Sequence, residues 1–230
     1  MPDAPSDMNG LLIVDKPLGC SSMDVVRVVR RAAGRAKTGH AGTLDPLASG
    51  VIVCGLGRGT KCVEHVMGLT KIYETTIDLS AFTATDDAEG ERQPVEVVTP
   101  PMVERVRAAL DQLIGDVQQT PPAYSAIKVG GRRAYKLARQ GVAVVMPPRI
   151  VRIDRIELRR YEWPMLDITV TCGRGTYIRS LARQIGVMLG TGGYLTALRR
   201  TAIGPYTIDR AIPLDHLPQP LTAEHLLPMP

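Results

Sequence analysis

Between Gly39 and Gly50 the chain reads Gly-His-Ala-Gly-Thr-Leu-Asp-Pro-Leu-Ala-Ser-Gly, one carboxylate, Asp45, among turn-formers and small residues. The glycines permit backbone angles that other residues resist. Pro46 fixes its own φ and keeps Asp45 out of helical geometry. Flexible linkers lack residues such as Leu44, Leu47, Val51 and Ile52, which would anchor this segment to a core. The segment therefore reads as a shaped loop presenting an acid. That acid can act as a nucleophile or general base, or can simply build the turn, as Asp before Pro often does. Either chemical role needs the ionised form, which a nearby guanidinium favours. Several arginines could supply one, among them Arg179, which follows a Gly-rich turn. Tyr73 and Tyr177 could stack on a base and still offer a hydroxyl, or could be ordinary strand and helix-start residues.

Other chemistries fit less well. The histidines His40, His65, His216 and His225 are scattered and show no metal-ligand spacing. Cys20, Cys54, Cys62 and Cys172 match neither a zinc knuckle nor a redox dithiol, so buried free thiols in a reducing compartment are expected. The stretch Gly55-Leu56-Gly57-Arg58-Gly59-Thr60-Lys61 invites a phosphate-loop reading, but its spacing is wrong, and its third glycine comes too early for a dinucleotide fingerprint.

The net charge is +5, and its layout says more than its size. Arg27, Arg30, Arg31, Arg35 and Lys37 fall in an acid-free run from Val25 to Leu44. Lys128, Arg132, Arg133, Lys136 and Arg139 fall in another. Arg174, Arg179, Arg183, Arg199 and Arg200 fall in a third, from Ile168 to Ile208. The acids concentrate between Glu74 and Asp116. A basic face toward a polyanion, with nucleic acid the leading partner, is expected. Met1–Gly10 lacks the apolar stretch of a signal peptide, and no run is long enough to span a bilayer, so a cytoplasmic protein without membrane attachment is expected.

The elements that must position these residues follow from periodicity. Leu11–Val14 reads as a buried strand. Ser21 and Asp24 form a capping box that opens a helix to about Ala33. Thr60 caps a short helix to Met67. Tyr73, Thr75, Ile77 and Leu79 alternate as a half-buried strand. Phe82–Thr99 is an acidic surface excursion, followed by an amphipathic helix over Met102–Leu113. Ile150, Ile153, Ile156 and Leu158 lie along one strand, and Leu166, Ile168, Val170 and Cys172 along the next. Gly173-Arg174-Gly175 turns into a helix bearing Ile178, Leu181, Ala182, Ile185 and Met188. With 230 residues and no regular βαβ alternation, one mixed α/β (α+β) domain on a central, largely antiparallel sheet flanked by helices is expected.

The Gly39–Gly50 loop closely resembles the catalytic-loop signature of the TruB family, the tRNA pseudouridine synthases. In the same order so do Leu12-Ile13-Val14-Asp15-Lys16-Pro17, Lys71-Ile72-Tyr73, Tyr124-Ser125-Ala126-Ile127-Lys128, Gly175-Thr176-Tyr177-Ile178-Arg179 and Leu198-Arg199-Arg200. The resemblance implies the pseudouridine synthase fold over residues 9–217, with an RNA-gripping insertion at about 119–148. It also implies a short tail over 218–230 in place of the family's separate C-terminal RNA-binding domain. The implied activity is conversion of a uridine in the T-loop of tRNA (position 55) to pseudouridine after base flipping, without cofactor or metal. Asp45 matches the family's catalytic aspartate, Tyr73 the tyrosine that stacks on uracil, and Arg179 the arginine that pairs with the aspartate. Tyr177 and Leu198 match pocket-lining residues, and His40 a histidine near the flipped nucleotide. Lys16 and Lys61 match lysines with structural or backbone-contact roles. Lys128, Arg132, Arg133, Lys136 and Arg139 match the insertion that grips the T-arm. The partner implied is tRNA alone, bound by a monomer without an obligatory protein partner. An RNA-guided synthase and a tRNA-folding chaperone are the alternatives.

Overall fold

The computed structural model describes residues 8–125, 127–129, 131–134, 137, 140 and 145–230. The chain divides into two compact units. The first runs to Tyr73 and resumes over Leu198–Pro230, and the second is Glu74–Ala197.

In the first unit β1 (Gly10–Lys16) runs antiparallel to β3 (Ala48–Leu56), from Gly10 opposite Leu56 to Lys16 opposite Gly50. Both strands are buried on two faces, which explains their continuous apolar runs. On one face Leu12, Val14, Ile52, Cys54 and Leu56 pack with Val25, Val26 and Val29 of α1 (Ser22–Ala32). On the other, Leu11, Ile13, Val51 and Val53 pack with Val66 of α2 (Val63–Gly68). Each fully buried Val, Leu or Ile contributes about 1.5–3 kcal/mol. The expected capping box is present: the Ser21 hydroxyl accepts from Asp24 N, and the Asp24 carboxylate accepts from Ser21 N. Thr60 does not cap α2. It lies inside a 3₁₀ turn, Gly57–Cys62, where its hydroxyl donates to Gly57 O (2.8 Å), and Cys62, not Thr60, stands at the start of α2. The glycines of the supposed phosphate loop serve packing instead, because a Cβ on Gly59 would sit 2.0 Å from Gly10 O.

The free edge of β3 is shared by two strands. Its end takes β2 (Thr38–His40), antiparallel, with His40 opposite Cys54. Its start takes β12 (Tyr194–Ile203), parallel, with Leu198 opposite Ala48 and Arg200 opposite Gly50. The Asp45 loop bridges β2 to β3 across this edge. Beyond β12, β13 (Tyr206–Thr207) pairs with it antiparallel, and β14 (Ile212–Pro213) pairs with β1 in parallel.

In the second unit the strand order is β12-β4-β11-β10-β7. These are β4 (Lys71–Asp78), β7 (Gly115–Gln119), β10 (Arg149–Glu162) and β11 (Met165–Cys172). Strands β4 and β12 thus carry residues of both units. The sheet is mixed, with antiparallel pairs prevailing, as expected. A bulge between Ile153 and Arg155 resets the alternation of β10, so Ile153 and Ile156 are both buried while Ile150 is exposed. Helix α3 (Val103–Asp111) and helix α4 (Ile178–Leu189) form where the apolar spacing places them. On α4 the half-exposed Met188 gives way to Leu189 as the buried residue of the last turn. The acidic stretch is mostly exposed and holds a hairpin of β5 (Ala81–Thr83) and β6 (Arg92–Pro94). It departs from the expected surface excursion at Thr83, Asp86 and Asp87, which are buried. Cys54 and Cys172 are buried thiols, and burial pushes Cys54 up to about 12. Cys20 and Cys62 are only partly buried.

Candidate active site

The Asp45 loop is fastened from four directions within the first unit. Ser22, at the first turn of α1, grips Leu44 twice: its hydroxyl donates to Leu44 O (3.0 Å) and accepts from Leu44 N (2.8 Å). The turn after β1 holds the far side through Gly19 N to Pro46 O (2.8 Å). Ala41 N donates to Val53 O (2.8 Å), continuing the β2 ladder into the loop. Arg200, 1 % exposed, donates from Nε to Val51 O (2.8 Å) and from Nη2 to Gly42 O (3.1 Å). Val51 lies in the gap between β2 and β12, so the guanidinium satisfies a carbonyl that no strand reaches. Gly50 is required there: its φ is +103°, and a Cβ would lie 2.2 Å from Arg200 O. Alongside, Arg199 Nη2 donates to Asp15 Oδ2 (2.7 Å) and its Nη1 to Ser49 Oγ (3.2 Å). Leu44 is buried and Asp45 half-buried. The loop is thus rigid where it meets the core and open at its acid.

Two buried cations back this loop. Lys16 is 0 % exposed and donates from Nζ to Pro17 O (2.9 Å) and Cys20 O (2.8 Å). Burial pulls its ammonium below the ordinary lysine range. Cys20 and Asp45 pull it back up, and Arg200 opposes them. Burial, then the Arg200 charge, also lower His40, with the Gly42 backbone acting the other way, so its ring is neutral at neutral pH. Lys16, His40, Asp45, Leu198 and Arg200 therefore belong to one assembly. Lys61 is exposed at the end of the 3₁₀ turn, and Tyr73 is buried on β4.

Arg179 belongs to the second unit and is 4 % exposed. Its guanidinium pairs with Asp87 (3.3 Å) and donates to Thr85 O (3.1 Å) and Tyr124 O (2.9 Å). Two residues earlier, Tyr177 N donates to Gln119 Oε1 (2.7 Å), while Arg149 stacks 5.0 Å from the Tyr177 ring centroid and bonds Gly175 O. Of the basic set, Lys128 pairs in backbone register with Arg133, and Arg132 with Val129, on the antiparallel strands β8 (Lys128–Val129) and β9 (Arg132–Arg133). Lys136 and Arg139 lie outside the described residues.

Sequence reading missed Ser22, Asp86, Asp87 and Gln119, and assigned Arg200 no role. Only Arg200 left a signal: it sits between Leu198 and Ala202, on the inward alternation of β12, where a cation must have buried partners. Ser22 offered none, being the second of two serines at a helix start. Replacing Ser22 with Ala leaves Leu44 N and O unsatisfied, a cost of about 1–3 kcal/mol. We expect the thermal midpoint to fall and pseudouridine formation to drop about tenfold, read by calorimetry and a single-turnover assay.

Residues 30–178 match the profile of the TruB family pseudouridylate synthase N-terminal domain. Residues 179–228 match the tRNA pseudouridylate synthase B C-terminal domain profile, which falls on α4, β12 and the segment after it. The chain is 49 % identical over 220 residues to tRNA pseudouridine synthase B of Corynebacterium aurimucosum, covering 93 % of this chain and 73 % of that one. It is likewise 49 % identical over 222 residues to the protein of the same name from Mycobacterium sp. (strain KMS), covering 95 % and 75 %. Among solved structures, a Cbf5-Nop10-Gar1 complex superposes with a TM-score of 0.73 at 26 % identity, over 96 % of this chain and 60 % of that one. An H/ACA RNP bound to a substrate RNA containing 2′-deoxyuridine gives 0.67 at 25 %, over 90 % and 52 %. The chain thus spans between half and three-fifths of those two solved chains. The fold and the loop define a pseudouridine synthase. The chain belongs to the TruB family of these enzymes.

Proposed function

We propose that this chain converts a uridine in the T-loop of tRNA (position 55) to pseudouridine, with Asp45 as the catalytic carboxylate. The observation that carries the reading is the Asp45 loop itself, clamped by Ser22 and Arg200 and backed by buried Lys16, in a chain of this family. The reaction breaks the N1–C1′ bond, turns the uracil and joins C5 to C1′. The C5 proton leaves to solvent and N1 ends protonated, so atoms and electrons balance within the substrate. A stacked base is out of a carboxylate's reach, so the nucleotide must be flipped out first. Tyr73 then stacks on the uracil, Tyr177 and Leu198 line its pocket, and His40 attends the flipped nucleotide. Arg179 matches the arginine that keeps the family's catalytic aspartate ionised and oriented, and we assign it that role toward Asp45. Lys16 supports the loop, and Lys61 contacts the RNA backbone. The hairpin residues Lys128, Arg132 and Arg133, with Lys136 and Arg139, hold the T-arm through its phosphates. The enzyme works where tRNA is, in the cytoplasm.

The test is the purified chain alone with T-arm RNA, pseudouridine being mapped chemically. Formation of pseudouridine at the T-loop uridine supports the reading. Formation only after a guide RNA and partner proteins are added moves the chain to the mode of its H/ACA relatives. In the same assay, changing Arg132 and Arg133 together to Ala should raise KM severalfold with little change in kcat. It should also lower the slope of log affinity against log salt by about one to two units. An unchanged slope removes the gripping role.

A further inference from the structure

Arg179 is not held by Asp87 alone. Four residues on, and so on the same face of α4, Arg183 pairs through Nε with Asp86 and donates from Nη2 to Thr83 O (2.9 Å). The two arginines close over one short turn, with Thr83 O and Asp86 under Arg183 and Thr85 O and Asp87 under Arg179. The turn is built for this. Asp86 has a φ of +60°, a left-handed conformation that Asp tolerates, and this sends two successive carboxylates toward one helix. Leu195 N fixes the turn from behind by donating to Asp86 O (3.0 Å). Arg183 is steadied by the Phe82 ring, 4.8 Å from its guanidinium carbon.

The two pairs differ in burial. The Arg179 and Asp87 side chains are 5 % and 2 % exposed, whereas Arg183 is 42 % exposed over an Asp86 that is only 9 % exposed. An ion pair with one partner so open adds little to stability. Its geometry is nonetheless specific, with two donors from one guanidinium to two acceptors on a strained turn. If one member of the outer pair were removed, the other would stand uncompensated beside the inner pair, Arg183 repelling Arg179 or Asp86 repelling Asp87.

We propose that Asp86 and Arg183 are positioning residues, an outer ion pair that sets where the Arg179 guanidinium stands. The proposal rests on the reading of Arg179 as the partner of the catalytic carboxylate.

The experiment combines kinetics with crystallography on Asp86→Asn, which keeps a residue that tolerates φ near +60°, and on Arg183→Gln. Each should lower kcat on T-arm RNA about ten- to a hundredfold with KM changed less than about twofold. The double variant should be no worse than either single one. In an Asp87→Asn background both changes should have little further effect, because Arg179 is already loose. Arg183→Lys, which restores the charge without the fork, should recover part of the loss. Unchanged kcat in both single variants overturns the proposal. So does a kcat loss that tracks the fall in thermal midpoint, or full multiplication in the Asp87→Asn background. Should the wild type form no pseudouridine on T-arm RNA, the reading of Arg179 fails separately. The positioning claim is then decided by the crystal structure of Asp86→Asn, which supports it if the Arg179 guanidinium leaves Asp87 and overturns it if it stays.

Discussion

Asp45→Asn should fold and bind T-arm RNA as the wild type does, yet form pseudouridine at least about a thousandfold more slowly. Asn keeps the size and turn-forming habit of Asp, and it leaves in place the contacts that hold the loop's backbone. Ser22 grips the Leu44 backbone, Arg200 the carbonyls of Gly42 and Val51, and Ala48 N the Asp45 carbonyl (3.0 Å). Only the ionisable oxygen is lost, so the variant separates chemistry from loop architecture. A single-turnover assay with a filter-binding control reads both quantities. Pseudouridine formed at more than a few per cent of the wild-type rate would remove Asp45 from the mechanism, whether it attacks the base, attacks the sugar or takes a proton from it.

Arg179→Ala should damage both stability and activity. It leaves the Asp87 carboxylate, 2 % exposed, facing a void where its counterion stood. Stranding one member of a buried pair costs about 3–5 kcal/mol. In a chain of this size that is a fall in thermal midpoint on the order of 10 °C. It also frees the carbonyls of Thr85 and Tyr124, which the guanidinium gathers. kcat should fall by about two to three orders of magnitude, well beyond the change in RNA affinity. The contrast is Arg160→Ala, which removes exposed pairs to Glu162 and Asp167 and should move the midpoint by no more than a degree or two. Calorimetry on the two proteins side by side checks the prediction. A midpoint for Arg179→Ala equal to the wild type would mean that Asp87 is not held by charge.

Much of this architecture can be read from residue spacing. The capping box at Ser21 and Asp24, the alternation along β4 and β11 and the helical stripe of α4 are local patterns, and local chemistry decides them. The Asp45 loop was legible for the same reason, since its glycines and Pro46 state their geometry without help from the rest of the chain. What could not be read depends on partners far apart in sequence. Asp86 and Asp87 look like two more acids in a solvated acidic stretch until α4 brings two arginines to them, more than ninety residues later. Thr60 has a capping residue's chemistry but donates within a 3₁₀ turn, a choice set by the close packing of Gly59 on Gly10. The register of β10 turned on a bulge that no single-strand pattern encodes.

The bonds from Arg200 to Val51 and Gly42 span sequence separations of 149 and 158 residues. During synthesis, the loop bearing Asp45 leaves the ribosome long before the residue that clamps it. The nascent chain therefore carries the acid in a loop that Ser22, Gly19 and Val53 can hold but Arg200 cannot yet clamp, and the long closure makes this a late step in folding. The clamp closes only when β12 lays Leu198, Arg199 and Arg200 along the start of β3. A growing polypeptide thus holds the carbonyls of Gly42 and Val51 without their guanidinium until β12 has been made.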